Sequence, residues 1–419
     1  MRMIAIALGL VLAGNAMAES KGLSDIYNLA VANDPALRAQ IATRDASQAL
    51  GEQIRGARGL SATGSLLGSG NQDLQDNDFD ETGTLSVTLS LPLYDRGLTA
   101  SIDSQDAATR EADAALAAYR QTHILSVTNA YFAVLSADQD LLAAKAEVEA
   151  FERQLEQASE RLTVGIGTRV DVDQARARLD LSQVGLISAE VALETARSDL
   201  RQLVDVPVSD LADLVENFSA EVHRSLDGDL DRLADNHPEV IAEQEAYRSA
   251  VADLDEARAE TTPSLDLSSK FSMSDSSRSN VLSLTLSAPI YTNGVASAKV
   301  AVAQAGVVKA EANLLKARRQ VLGSMQEAYR NLEASARTVE ARRLAIVSAA
   351  SRVEATEAAY AVGSGDIVEV LNAKKDLFAV ERDFAKARYT HVTRQLEFDQ
   401  AIGDLSESAI ARIDQQLIQ

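Results

Sequence analysis

Apolar and polar positions along this chain follow two different periods. Leu85, Val87, Leu89, Leu91 and Leu93 alternate with Ser86, Thr88 and Ser90. Leu282, Leu284, Leu286, Ala288 and Ile290 alternate in the same way with Ser283, Thr285 and Ser287. Period two, with hydroxyl residues between the apolar ones, predicts β-strands. Weaker alternation precedes each run, over 60–68 and at Leu265, Leu267, Phe271 and Met273. Two hairpins are therefore expected, at 60–93 and 264–291, with polar loops at 69–81 and 274–279. Elsewhere the spacing is three and four. Ile124, Val127, Tyr131, Val134 and Leu141 belong to one such series, and Val172, Ala175, Leu179, Ser182 and Leu186 to another. The second is a heptad seam. The pattern predicts long helices over 98–162 and 295–360, return helices over 168–204 and 366–402, and shorter helices at 35–58 and 238–261 leading into the hairpins.

One unit is written twice. Pro92, Tyr94 and Gly97 recur as Pro289, Tyr291 and Gly294, and Val164-Gly-Ile-Gly167 recurs as Val362-Gly-Ser-Gly365, each about 200 residues on. The two units are placed at 19–218 and 219–405, with a tail at 406–419. A helix over 98–162 would be about 97 Å long at 1.5 Å per residue, nearly matched by a return helix and a leading helix laid end to end. The joint between those two falls near 205–236 and the chain termini. Such lengths suit a duct or a stalk better than a compact catalytic domain. Four strands cannot close a membrane barrel, whose minimum is about eight, so strands that span a membrane must come from several chains. A soluble sheet with one buried face has the same pattern.

Composition narrows the function. Pro numbers 6 and Trp 0, which disfavours a turn-rich all-β fold. Lys+Arg is 40 against Asp+Glu 62, a net charge of −22, so the basic face that nucleic acid requires is not expected. Cys is 0, which excludes disulfides, thiolate metal sites and cysteine nucleophiles. Arg2, the apolar run Ile4 to Ala13 and Ala16-Met17-Ala18 read as a signal peptide over 1–18, so the chain is expected to leave the cytoplasm. His123, His223, His237 and His391 lack metal-ligand spacing. The acidic run Asp73, Asp76, Asp78, Asp80 and Glu81 has Glu81 where a calcium loop needs glycine, and is read as a solvated loop. No catalytic residues, cofactor or metal are expected. Thr168-x-x-Asp171 and Asp366-x-x-Glu369 fit helix N-caps, and Gly165, Gly167, Gly363 and Gly365 fit left-handed helix ends.

The signal, the two hairpins with Leu-Pro-Leu-Tyr94 and Ala-Pro-Ile-Tyr291, the paired Val-Gly-x-Gly turns and the tandem repeat resemble the TolC family of outer-membrane efflux and secretion channels. That resemblance covers about residues 20–405. It implies a mainly α fold with a small β part. Long antiparallel coiled-coil helices would form an α-barrel, and four strands per chain would join a shared trimeric 12-stranded outer-membrane β-barrel. It further implies a passive duct across the periplasm and outer membrane of a Gram-negative cell. The partners implied are outer-membrane lipid, a periplasmic adaptor (membrane fusion protein) and an inner-membrane pump of ABC or RND type. The alternative is a soluble periplasmic coiled-coil adaptor. By the same resemblance, Pro92, Tyr94, Gly97, Pro289, Tyr291 and Gly294 mark the barrel–helix junctions, and Gly165, Gly167, Gly363 and Gly365 the tip turns. Asp171 and Tyr360 match a gate-linking pair. Glu369 keeps the first acid of the gate motif, lengthened by a methylene, while Asn372 replaces the second. Gly365 stands where the family carries a basic residue. A trimer would then carry one carboxylate ring instead of two and lack one restraining contact.

Overall fold

A computed structural model describes residues 21–418 except 74–77, 209, 216, 223–225, 227–229 and 275–276. The signal segment 1–18, His223 and Asp76 lie outside the described residues, as do the side chains of 71–82. The chain runs α1 (Leu23–Asn33), α2 (Pro35–Gly56), β1 (Ser61–Asp73), β2 (Asp78–Tyr94), α3 (Arg96–Thr163) and α4 (Arg169–Val204). The second half follows as α5 (Leu230–Asp235), α6 (Pro238–Ala259), β3 (Ser264–Ser274), β4 (Arg278–Ser287), α7 (Val295–Ala361), α8 (Ile367–Ala401) and α9 (Glu407–Asp414).

α3 has 68 residues and α7 has 67, so each is about 100 Å long. The N-terminal part of α3 lies between α2 and α6, and its C-terminal part packs on α4. α7 packs first on α6 and then on α8. Buried small residues explain how these helices come close. In α3, Ala100, Ala107, Ala114 and Thr128 are buried on one heptad series, with the longer Gln121 at the remaining position. In α4, Ala175, Ser182 and Ala189 do the same. A heptad of small residues forms a narrow seam on which a neighbouring helix can lie along its whole length. Cross-helix pairs fix the register: Arg110–Glu245 at 2.7 Å ties α3 to α6, and Lys374–Glu357 at 2.7 Å ties α8 to α7.

Midway along α3 a packed layer girdles the columns. Ile124 to Leu135 meet α1, α9, the C-terminal end of α4 and the Ala212–Leu214 segment in the largest core of the chain. Tyr131 Oη, fully buried, donates to the Ala212 carbonyl at 2.5 Å. Tyr389 Oη donates to Asp213 at 2.8 Å. Asp414, near the C-terminus, caps α1 by accepting from Leu23 N at 2.7 Å. Pattern reading located this joint but missed α1, α5 and α9, because their order comes from contacts distant in sequence.

The strands form one antiparallel sheet in the order β1-β2-β3-β4. Two expectations are corrected here. The loop expected over 69–81 is mostly paired backbone, since β1 and β2 stay in register out to Asp73↔Asp78. Backbone pairing needs no apolar side chains, so a polar sequence can extend a hairpin. The alternation read through Ile290 ends as strand at Ser287. β2 runs through Pro92 to Tyr94 because β3 pairs with it there, with an irregularity between Pro92 and Tyr94. β4 is an edge strand whose partner β3 begins at Ser264, opposite Ser287, so no described strand holds Ala288 to Tyr291 in the sheet.

Candidate functional site

Two regions, about 100 Å apart along α3, gather the residues singled out in the sequence. One is the sheet. Its register places Leu66, Leu85, Met273 and Arg278 in one row, Val87, Phe271 and Asn280 in the next, then Ala62, Leu89, Ser269 and Leu282, and then Leu91, Leu267 and Leu284. Leu265 and Leu286 pair beside them. These residues share one face. The other face carries Ser65, Ser86, Ser272 and Ser279 in one row and Ser61, Ser90, Ser268 and Ser283 in another. Ser65 and Ser86 are hydrogen-bonded at 2.7 Å, as are Ser272 and Ser279. No described residue covers the leucine face: Leu282 is 74%, Leu284 63% and Leu286 69% exposed. A four-strand apolar face left open to solvent marks an interaction surface. Both edges, β1 and β4, also present unpaired backbone.

At the junction the two halves solve one problem differently. Asp95 caps α3 by accepting from Leu98 N at 3.0 Å, and Gly97 lies in the first turn. In the second half Gly294 is itself the N-cap of α7, with φ 83°, after Asn293 at φ 49°. Tyr291 Oη meets Asn293 Oδ1 at 3.0 Å. Pro92 and Tyr94 lie inside β2, whereas Pro289 and Tyr291 follow β4.

The other region is the tip, where α3 turns into α4 and α7 into α8. Of the four tip glycines, only Gly165 (φ 82°) and Gly363 (φ 78°) are left-handed. Gly167 and Gly365 have a different cause, which corrects the expectation that all four share one. A Cβ on Gly167 would fall 2.9 Å from Leu162 N, and on Gly365 3.0 Å from the Ala359 Cβ. Under the turns Phe151, Ala158, Ala175, Tyr360, Ile367, Val370 and Leu371 form a separate small core.

The candidate gate residues divide. Thr168 and Asp171 form a reciprocal capping box, with Asp171 N donating to Thr168 Oγ1 at 3.2 Å and Thr168 N to the Asp171 carboxylate at 3.0 Å. Asp366 caps α8 through Val368 N at 3.1 Å, and the Glu369 side chain is exposed. Asp171 and Tyr360 are near one another but not hydrogen-bonded: the Tyr360 hydroxyl is buried and unpartnered among the described residues. Its ring lies beneath the Arg161 guanidinium, 4.5 Å from the centroid. Burial raises the Tyr360 phenol above its ordinary value; Arg161 opposes that, and Asp171 and Asp366 add to it. Asn372 has a partner the sequence did not suggest. Its Oδ1 accepts from Arg178 Nη2 at 3.0 Å, joining α8 to α4. The spacing of Arg178 from Leu179 and Ala175 puts it beside the seam, but only the fold brings it to Asn372.

No group of His, Asp or Glu among the described residues could hold a metal ion. Nor does any described helix have the length and apolar character to cross a membrane.

Comparison with known proteins follows the same geography. The outer membrane efflux protein family model matches residues 26–205 and 230–404, one segment in each repeat. The outer membrane protein TolC of Vibrio cholerae serotype O1 is 31% identical over 411 residues, covering 94% of this chain and 93% of that protein. TolC of Salmonella enteritidis is 30% identical, covering 99% and 89%. The alkaline protease secretion protein AprF of Pseudomonas aeruginosa is 25% identical, covering 89% and 82%. Among solved structures, the Campylobacter jejuni CmeC outer membrane channel superposes with a TM-score of 0.81 at 16% identity, covering 98% of this chain and 97% of that one. The VceC outer membrane protein of Vibrio cholerae does so with 0.78 at 18%, covering 91% and 96%.

Proposed function

Because this chain belongs to the outer membrane efflux protein family, we propose that three copies form the passive exit duct of a tripartite efflux pump or a type I secretion system. The duct resides in the outer membrane and carries small molecules or polypeptides past the periplasm. One observation carries the reading: a four-stranded sheet with both edges open and a mainly apolar face, exposed among the described residues, sits on helices about 100 Å long. Three copies pair β4 of one chain with β1 of the next and close twelve strands. Leucines then face lipid and hydroxyls face a wet lumen. The helices support the same closure. Near the sheet their order is α2-α3-α6-α7, with α2 and α7 outermost among the described residues. A soluble adaptor would leave the leucine face without an occupant.

The duct performs no chemistry of its own; the work comes from an inner-membrane pump of ABC or RND type, reached through a periplasmic adaptor that meets the tip turns. Asp171, Tyr360, Glu369 and Asn372 belong to the gate. Three copies of Glu369 line a single carboxylate ring, and the Arg178–Asn372 contact holds α4 against α8 in the closed state.

The chain has no cysteine, so crosslinking starts from a silent background. Single cysteines walked along β1, combined with single cysteines along β4, are oxidised in isolated outer membranes. The proposal expects a set of pairs that traps covalent trimers. Absence of any inter-chain product at every pair overturns it.

A further inference from the structure

The hydroxyl face of the sheet contains one cation. Successive rows on that face read Pro92, Asp266, Thr285; then Ser61, Ser90, Ser268, Ser283; then Thr63, Thr88, Lys270, Val281; then Ser65, Ser86, Ser272, Ser279. In these rows Asp266 and Lys270 alone carry charge. Lys270 is exposed, and among the described residues its ammonium pairs with no carboxylate. Asp266 stands four residues away on β3, about 13 Å along the strand. That exceeds the Debye length of ~10 Å at 0.1 M salt, so the two charges act as separate rings.

On the reading of the chain as a shared barrel, we infer that three Lys270 side chains form a cationic ring inside the lumen that captures polyvalent anions entering from the outer face. Twelve strands about 4.8 Å apart and tilted ~40° give a backbone radius of ~12 Å. A lysine reaches inward by roughly half of that, which places the three ammonium groups ~10 Å apart around a clear path. An ion on the axis is then ~6 Å from each of them. Every ammonium lies within one Debye length of it at 0.1 M salt, but about two away at 1 M, where that length is ~3 Å. The hydroxyls of Thr63 and Thr88 in the same row donate to a bound oxyanion at no charge cost. A monovalent anion passes. An anion with three or more charges engages several ammonium groups at once and stays, because a compact lysine head acts as a strong point charge.

The experiment records single channels of the full-length protein in planar bilayers, with tripolyphosphate added at the barrel side only. At 0.1 M salt the wild type shows discrete closures whose frequency rises with tripolyphosphate. In Lys270→Gln the half-blocking concentration rises at least tenfold, and Lys270→Arg restores it. Block in the wild type disappears at 1 M salt. Wild-type channels that ignore tripolyphosphate at 0.1 M overturn the ring, as does equal block in Lys270→Gln. A wild-type protein that forms no channels overturns the barrel itself, so the two failures are told apart by the control trace.

Discussion

Removal of the Arg178 side chain is expected to loosen the tip. The Arg178–Asn372 hydrogen bond spans 3.0 Å between α4 and α8, and both side chains are half-buried. A hydrogen bond to a charged group contributes ~1.5–3 kcal/mol when buried, and partial exposure brings this one to ~1 kcal/mol. In a trimer the contact occurs three times. If the three tips open in concert, Arg178→Ala shifts the opening equilibrium by ~3 kcal/mol, a factor of ~150; if each opens alone, the factor is ~5. Asn372→Asp is the opposite perturbation. It converts the contact into an ion pair with Arg178, so opening becomes rarer. Open probability and unitary conductance in planar bilayers report both variants, and the double variant Arg178→Ala/Asn372→Ala tests whether the two residues act on one another. An open probability unchanged within twofold in Arg178→Ala, or an Asn372→Asp channel that opens more readily, removes this contact from the closed state.

Three further perturbations follow from the geometry. Leu284→Arg on the exposed leucine face is expected to cost ~2–4 kcal/mol per chain at the bilayer midplane and to deplete outer-membrane trimer, whereas Ser283→Arg on the hydroxyl face leaves trimer yield near wild type. Fractionation followed by native electrophoresis checks both. Tyr131→Phe removes a buried donor to the Ala212 carbonyl and should lower stability by ~1–3 kcal/mol, read from chemical denaturation followed by circular dichroism. Burial lowers the His123 imidazole below its ordinary value of 6.5, with Asp34 at 3.0 Å opposing. The folded state therefore favours neutral His123. The stability this contributes is present above pH 6.5 and is lost as pH falls through the lowered folded value. Melting curves between pH 7.5 and 4.5 should show that loss reduced in His123→Gln, and an unaltered profile contradicts the assignment.

How much of this was legible follows from what kind of contact sets each element. The long helices were, because their order is written locally: the ends of α3 and α7 lie within two residues of the positions that periodicity gave. The two sheet faces were legible for the same reason, since alternation in β2 alone separates Leu89 from Ser90. The packed layer was not. α1 begins where Asp414 caps it, across nearly the whole chain, and no local signal announces such a cap. The repeat also misled where it was followed too closely, because Pro289 and Tyr291 copy Pro92 and Tyr94 in sequence but lack the paired strand that holds them. At the tip, the caps of Thr168 and Asp366 were readable from four residues, while Arg178 meeting Asn372 depends on how two coiled coils settle against each other.

The sharing of one barrel by three chains is tested most directly by the mass of the complex extracted from outer membranes, with single-channel recordings made on the same sample. A trimer that gives discrete, long-lived channels is the expected result. A monomer that remains in the soluble periplasmic fraction and conducts nothing would contradict it.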